Sequence, residues 1–347
     1  MKTELFDYAL PESQIAFHPP AQRDGGRLMV LYPTAQRWEH ARIQDLPAYL
    51  PAQSLLVFNA TRVIPARLHA QRDTGGRVEV LFVRCAASDA DSSAWVALCR
   101  ANRPLRPGAR ISLGPGIWGE VDERRARGEV RLRVNARRDA VLQLLQRSGE
   151  IPLPPYIRRP PDSDDAERYQ TVFAAHDGSV AAPTAGLHFT PELLAEISGA
   201  GHDTAHVTLH VGPGTFRPIT ADDLGAHEMD EEFFVIGEAA AQRIAAARQA
   251  QHPVLAVGTT TVRTLEGAVA AWGALRSGTG STRIFIAPPH RFQVVDALLT
   301  NFHLPRSTLL CLVSAMAGRE FVLAAYREAV DAGYRFYSYG DAMLILP

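Results

Sequence analysis

The chain of 347 residues is 46% hydrophobic and 21% charged, enough apolar material for one large core or two modest ones and too much for a disordered chain. Lysine and arginine total 36 against 37 aspartates and glutamates, and Lys2 is the only lysine, which excludes every P-loop because GxxxxGK[ST] requires its lysine. The start, MKTELFDYALP, puts charges and a proline where a signal peptide needs an apolar run, no segment reaches the roughly eighteen uninterrupted apolar residues of a membrane span, and Cys85, Cys99 and Cys311 form no CxxC pair. The expectation is a cytoplasmic protein without membrane partner, disulfide framework or cysteine-built zinc site.

In chain order, SLLVF at 54–58 reads as a buried strand followed by a polar turn, Asn59 to Arg62. From 68 to 135 short alternating runs (RVEVLFVR, WVALCR, ARISLG, GEVRLRV) separated by Gly, Pro and Asp predict a small all-β barrel or sandwich. GPGIWG at 114–119 matches GxGxxG, but the polar EVDERRARG after it is no helix, so it reads as a hairpin turn. Asp139 opens a helix that stops at Gly149, and the proline-dense 151–161 reads as a stiff extended linker. Beyond it strands and helices alternate: HVTLHVG, a helix near 238–250, VLAVG, a helix over 262–272, RIFIA, TLLCLVSA as a buried strand, a helix over 319–331, and closing strands YRFYSY and AMLIL. The predicted class is α/β, in the mixed α+β sense: a larger αβ catalytic domain, 1–66 plus 150–347, with a small antiparallel β-barrel domain, 67–149, inserted into it.

Charge is uneven along this plan. Residues 100–148 hold 12 arginines against 5 acids, a net of +7. Such a face is either a polyanion contact or a solvated strand face.

Polar turns border apolar elements at several places in the C-terminal half. VLAVGTTTVRTLE runs a strand into Gly258 and three threonines at a helix start, where amides and hydroxyls can hold a carboxylate or phosphate, or the threonines simply cap the helix. In HVTLHV, period two places His206, Thr208 and His210 on one strand face, with the imidazoles about 13 Å apart, too far for a shared metal. GPGTF, Gly212 to Phe216, then bends the backbone and exposes amides. APTAGLHF at 182–189 packs small residues and His188 before a helix capped by Thr190, while TNFHLP and SYGDA contribute Asn301, His303, Tyr339 and Asp341.

Taken in order, FDYALPESQIA, LLVFNATRVIPARL, GGRVEVL, IPLPPYIRR, ERYQTVFA, VAAPTAGLHFT, HVTLHVGPGTF, VGTTTVRTLE, VVDALLTNFHLPRSTLLCLVSA and YRFYSYGDAMLI closely resemble the S-adenosylmethionine:tRNA ribosyltransferase-isomerase family of queuosine biosynthesis across nearly the whole chain. The resemblance implies transfer and isomerisation of the ribosyl moiety of S-adenosylmethionine onto 7-aminomethyl-7-deazaguanine at the tRNA wobble position, giving epoxyqueuosine, adenine and methionine. It implies S-adenosylmethionine as a consumed substrate, no cofactor, no metal, the tRNA anticodon loop as partner and a monomer. On that chemistry, His188 or His210 would move the proton, with Glu232 and Asp341 as carboxylate candidates. Thr184 and Gly186 would line the nucleoside site, Asn301, His303 and Tyr339 would meet the purine, and Thr259, Thr260 and Arg263 would hold the methionine carboxylate. Arg62, Arg158 and Arg159 would meet tRNA phosphates. A different enzyme using the same sulfonium substrate, or a non-catalytic tRNA-binding paralogue, are the competing readings.

The chain departs from the family pattern HxMHxE at His227–Glu232, where Asp230 replaces the second histidine with an acceptor-only carboxylate. Pro213 in GPGTF and the pair Pro288–Pro289 are milder departures.

Overall fold

A computed structural model describes residues 1–125 and 128–347, so Arg127, counted in the basic stretch, and the Ala126–Arg127 step of EVDERRARG lie outside the described residues. In chain order the elements are β1 Arg27–Tyr32, β2 Arg37–Arg42, α1 Leu46–Tyr49, β3 Leu55–Asn59, β4 Thr61–Val63, β5 Arg67–Arg72, β6 Arg77–Ser88, β7 Ser93–Ala101, β8 Arg110–Gly114, β9 Ile117–Arg124 and β10 Glu129–Val134. There follow α2 Arg138–Ser148, α3 Asp165–Arg168, β11 His176–Ser179, α4 Pro191–Gly199, β12 Asp203–Leu209, β13 Glu232–Ile236, α5 Glu238–Gln249 and β14 Val254–Val257. The chain ends with α6 Thr259–Trp272, β15 Gly278–Thr282, β16 Ala297–Asn301, α7 Thr308–Ala317, α8 Arg319–Asp331 and β17 Ala342–Ile345.

Two compact units result. The first comprises Met1–Thr61, Arg168–His176 and Ala182–Pro347, the second Arg62–Glu167 and Asp177–Ala181. The second unit is therefore wider than 67–149, because it also takes in the proline-dense linker and a short return segment.

The first unit is built on a nine-stranded sheet in the order β15-β13-β12-β3-β14-β16-β17-β1-β2. At its centre β12, β3, β14 and β16 run parallel, so their carboxyl ends emerge on one edge. The middle strands are apolar without alternation, as in LLVFN and VLAV, which is what burial on both faces selects. Phe58, Phe189, Leu255 and Leu299 pack one core beneath this sheet. Open parallel sheets of this kind bind ligands beyond the strand carboxyl ends.

The second unit contains a closed antiparallel barrel, β10-β7-β6-β5-β8-β9, filled by Phe82, Trp95, Leu132 and their neighbours. GPGIWG forms the β8–β9 hairpin, with Gly116 at a φ of 71°.

Three elements differ from expectation. TLLCLVSA is not a strand but helix α7, whose Ser307 side chain accepts from the Leu310 amide at 3.1 Å. An all-apolar run has no periodicity to separate strand from buried helix, and the cap decides. RIFIA carries no strand because the sheet edge is formed by the preceding β15, and YRFYSY folds as a turn, Tyr337 adopting a φ of 73°. Helix α6 starts three residues earlier than expected, so its threonines form the first turn and Gly258, at a φ of 90°, takes the cap position without a side-chain hydrogen bond. Capping by the threonines is thereby excluded. Among the described residues no single helix is long and apolar enough to cross a membrane.

Gly149 ends α2 where a Cβ would lie 1.9 Å from the Pro65 carbonyl oxygen. Gly149→Ala is expected to destabilise the barrel unit by about 3 kcal/mol, because a backbone atom cannot yield as a side chain does. Gly199→Ala, which meets nothing within 4 Å, should be neutral; urea midpoints of the two variants check the contrast.

Candidate active site

The carboxyl ends of the parallel strands are held together by one buried carboxamide. Asn59, at the end of β3, donates from Nδ2 to the Leu209 carbonyl (2.9 Å) and to Thr260 Oγ1 (3.2 Å), while its Oδ1 accepts from the amides of Thr61 (3.1 Å) and Leu209 (3.0 Å). Both donors and both acceptor directions are satisfied, so β3, β12 and the first turn of α6 are locked in register. Asn59 and Thr61 are absent from the expected site residues. The only trace of them in sequence is a polar turn directly after an apolar strand.

Above this lock lies a cleft. Its walls include Thr184 and Pro183 from the turn before α4, Val211 and Thr215 from the turn after β12, and Gly258, Thr259 and Thr260 at the start of α6. Asn301 and His303 after β16 and Tyr337 and Ser338 from the last turn close it. Thr184, Thr259, Thr260, Asn301 and His303 thus come together as expected. No Asp, Glu, Lys or Arg lines it among the described residues, and the free amides of the α6 start face it with partial positive charge.

Asn301 is the most informative wall residue. It is 2% exposed, and its Nδ2 lies 3.1 Å from His188 Nε2. With Nδ2 as donor, the imidazole nitrogen is the acceptor. Asn301 Oδ1 has no hydrogen-bond partner among the described residues, and a buried acceptor left unpaired costs on the order of 1–3 kcal/mol. That oxygen is accordingly a ready acceptor for a ligand N–H or O–H.

The histidines separate into two kinds. Burial lowers His188 to about 4 and His303 to about 3, so both are neutral at working pH. His303 Nε2 lies 3.1 Å from Thr300 Oγ1, and its backbone is clamped by the hydroxyls of Tyr8 and Tyr326. His210 lies past the end of β12, half-buried, with Nδ1 2.8 Å from Thr61 Oγ1. The expected three-residue face is broken accordingly: His206 packs on Phe58 and Phe173, Thr208 is buried, and His210 leaves the strand.

Several expected site residues belong to the supporting structure instead. Asp341 accepts from the amides of Arg27 and Arg335, each at 2.8 Å, which ties β1 to the last turn and gives each carboxylate oxygen a backbone partner; burial raises its pKa. Glu232 accepts from Thr215 Oγ1 (2.9 Å) and lies 2.8 Å from Arg263 Nη2, both side chains 4% exposed. Burial pushes the Glu232 carboxyl up while Arg263 pulls it down. Arg263 is therefore ion-paired with Glu232 and is not a wall of the cleft, and the pair meets the cleft through Thr215. A Cβ at Gly186 would meet Phe173 and Thr171 at 2.7 and 2.8 Å, so this glycine serves packing and not ligand approach. Tyr339 stacks edge-on against Tyr169 at 5.8 Å, and its neighbour Tyr337 takes the place at the wall.

Asp230 sits beside the GPGTF turn. Its Oδ2 lies 3.5 Å from Arg217 Nη1 and would be 1.8 Å from a Cβ at Gly214. The carboxylate thus occupies space that only a glycine at 214 permits.

In the second unit, Arg159 makes a bidentate pair with the buried Asp165, at 2.6 and 2.9 Å, and is structural. Arg62 Nε lies 3.6 Å from Asp177, and Arg158 is exposed.

Comparison with known proteins bears on this geometry. A family model described as queuosine biosynthesis protein matches residues 3–345. Proteins called S-adenosylmethionine:tRNA ribosyltransferase-isomerase are 50% identical in Anaeromyxobacter dehalogenans, covering 100% of this chain and 99% of the relative. Another of that name in Moorella thermoacetica is 49% identical over 100% of both. A crystal structure of S-adenosylmethionine tRNA ribosyltransferase from Thermotoga maritima aligns with a TM-score of 0.57 at 35% identity, over 99% of this chain and 100% of that one.

Arg263→Leu should cost about 3–5 kcal/mol, because Glu232 is left buried and unpaired, and the double variant Arg263→Leu/Glu232→Leu should recover much of that loss; denaturant unfolding measures both. The two buried histidines titrate below their unfolded value of about 6.5, so their contribution to stability is full above that pH and is lost as pH falls toward 4. Unfolding midpoints measured between pH 7 and 4.5 should fall, and His188→Gln should flatten that fall.

Proposed function

The chain belongs to the queuosine biosynthesis protein family, as an S-adenosylmethionine:tRNA ribosyltransferase-isomerase, and from that premise we propose which of its residues carry the reaction. The enzyme moves the ribosyl part of S-adenosylmethionine onto the aminomethyl group of a 7-deazaguanine in tRNA, and isomerises it to the epoxycyclopentyl product with release of adenine and methionine. S-adenosylmethionine is consumed as a substrate and no resident metal or redox group is needed, since the sulfonium itself acidifies the C5′ hydrogens. A base takes a C5′ proton, adenine leaves, the RNA amine is captured, and the epoxide closes as methionine departs.

The observation that carries the reading is the unpaired Oδ1 of Asn301 in a cleft free of charged side chains. A sulfonium nucleoside is cationic, and a wall of hydroxyls, amides and neutral imidazoles accepts a cation without like-charge repulsion. Asn301 Oδ1 accepts from the exocyclic amine of adenine. His188, too weak a base near pKa 4, acts as a positioning residue that fixes which way the carboxamide points. The amides and hydroxyls of Thr259 and Thr260 receive the methionine carboxylate at the helix start.

His210 is the proton carrier. Of the two histidine candidates it alone is half-exposed, its ring is set by Thr61 Oγ1, and it adjoins Val211 of the cleft wall. Asp341 and Glu232 are withdrawn from that role by their backbone and arginine partners. The enzyme works as a monomer in the cytoplasm on the anticodon loop, a reading supported by a cleft drawn wholly from one unit and by the location of the RNA substrate.

Purified protein, precursor-modified tRNA and S-adenosylmethionine, with chromatography of the released purine, test the assignment. Free adenine is expected; S-adenosylhomocysteine would instead mark methyl transfer, and intact S-adenosylmethionine a non-catalytic RNA binder. His210→Ala should lower kcat by at least about a hundredfold with little change in the KM for S-adenosylmethionine, and turnover within a few-fold of wild type would remove it from the chemistry. Asn301→Ala should raise that KM by about tenfold, because the ligand amine loses its acceptor. A chelator should leave the rate unchanged.

A further inference from the structure

The barrel carries a polar row on its outer surface that the reaction does not use. Strand register aligns Arg77 of β6 with Gln71 of β5, Gln71 with Ser112 of β8, and Ser112 with Trp118 of β9. All four are exposed, Trp118 at 37%. A second row, Arg100 of β7, Glu79 of β6 and His69 of β5, runs beside it, and between the rows lies a groove lined by Arg77, Arg100, Asn102 and Ser112 among others.

The charges here are asymmetric. Residues 100–110 contain Arg100, Arg103, Arg106 and Arg110 and no acid. Elsewhere on the barrel Arg133 pairs with Glu120 and Asp122, and Arg125 with Glu123. On this face Glu79 is shared with Arg67 at 3.9 Å, His69 lies 3.4 Å from Glu150, and Asp73 is the acid at the hairpin tip. Arg77 and Arg100 have no ion-pair partner among the described residues. Arg110 lies over the Trp118 ring at 4.6 Å while bonded to Glu120, so the indole that is 37% exposed rests against a guanidinium.

Guanidinium groups without an ion-pair partner along a groove, with an exposed indole in register beside its Ser112 wall, have the chemistry of a strand-tracking RNA surface: cations for successive phosphates and an aromatic plane for an unstacked base. We propose that this face of the barrel holds the tRNA, with Arg77 and Arg100 on phosphates and Trp118 stacked on a base outside the reacting nucleotide. The assignment rests on tRNA being the substrate.

Binding of fluorescently labelled precursor tRNA and adenine release are measured separately, so wild-type turnover tests the functional reading while binding tests the surface. Arg77→Glu/Arg100→Glu should raise the tRNA Kd at least tenfold and reduce the salt slope of log Kd by one to two, about the share of two phosphate contacts. The KM for S-adenosylmethionine should stay within twofold. The milder Arg77→Gln/Arg100→Gln pair should give an intermediate rise and guards against misfolding of the charge-reversed protein. Trp118→Phe should remove most of the tRNA-induced quench of tryptophan emission. Arg147→Glu, an exposed arginine on α2 away from the groove, is the control. A Kd for the charge-reversed pair within twofold of wild type, or an equal rise on Arg147→Glu, overturns the proposal.

Discussion

Everything in the cleft depends on the four hydrogen bonds of Asn59. A carboxamide that is 1% exposed must find partners for two donors and two lone-pair directions or cost several kcal/mol. Here it finds them on the ends of two neighbouring strands and on the first turn of a helix. Strand ends in an open sheet otherwise diverge with the sheet twist. By satisfying one side chain, the fold brings the turn after β12, the start of α6 and the Thr61 hydroxyl to fixed places, and the Thr61 hydroxyl in turn sets the ring of His210.

Polar residues that would look catalytic by type divide according to who claims them. Asp341, Glu232, Arg263 and Arg159 each spend their charge on a nearby amide or counter-ion, as buried charges must. The groups that line the cleft and keep capacity are uncharged among the described residues: the Asn301 oxygen, threonine hydroxyls and helix-start amides. For a substrate that carries its own positive charge, such a lining is better suited than one with imidazolium or guanidinium. Burial keeps His188 and His303 neutral by the same mechanism that makes them poor bases.

Much of the fold is readable along the chain wherever a local signal is decisive. Helix α4 is announced by Thr190 and Pro191, and α5 and α8 begin and end within a residue of where periodicity and caps place them. The strands of the second unit follow from alternation, which fits barrel and sandwich alike, and their closure into a barrel is seen only in three dimensions. Where the signal is non-local it fails: an eight-residue apolar run is strand or helix depending on Ser307, and the tyrosine-rich 334–339 resembles a strand by propensity yet turns to close the cleft. The site behaves alike. Its threonines, Asn301 and His303 are visible as polar residues beside apolar elements, but the tie of Arg263 to Glu232 across 31 positions of chain, or the fit of Gly186 against Phe173, is legible only in three dimensions.

The cleft walls come from segments near 184, 211, 259, 301 and 338, and the Asn59 lock beneath them lies on the other side of the barrel unit in sequence. These segments are spread from 182 to 338 along the chain, so the cleft forms only when turns far apart in sequence have packed together. A fragment clipped before the final turn lacks the wall that Tyr337 and Ser338 supply, whatever the rest of it folds into.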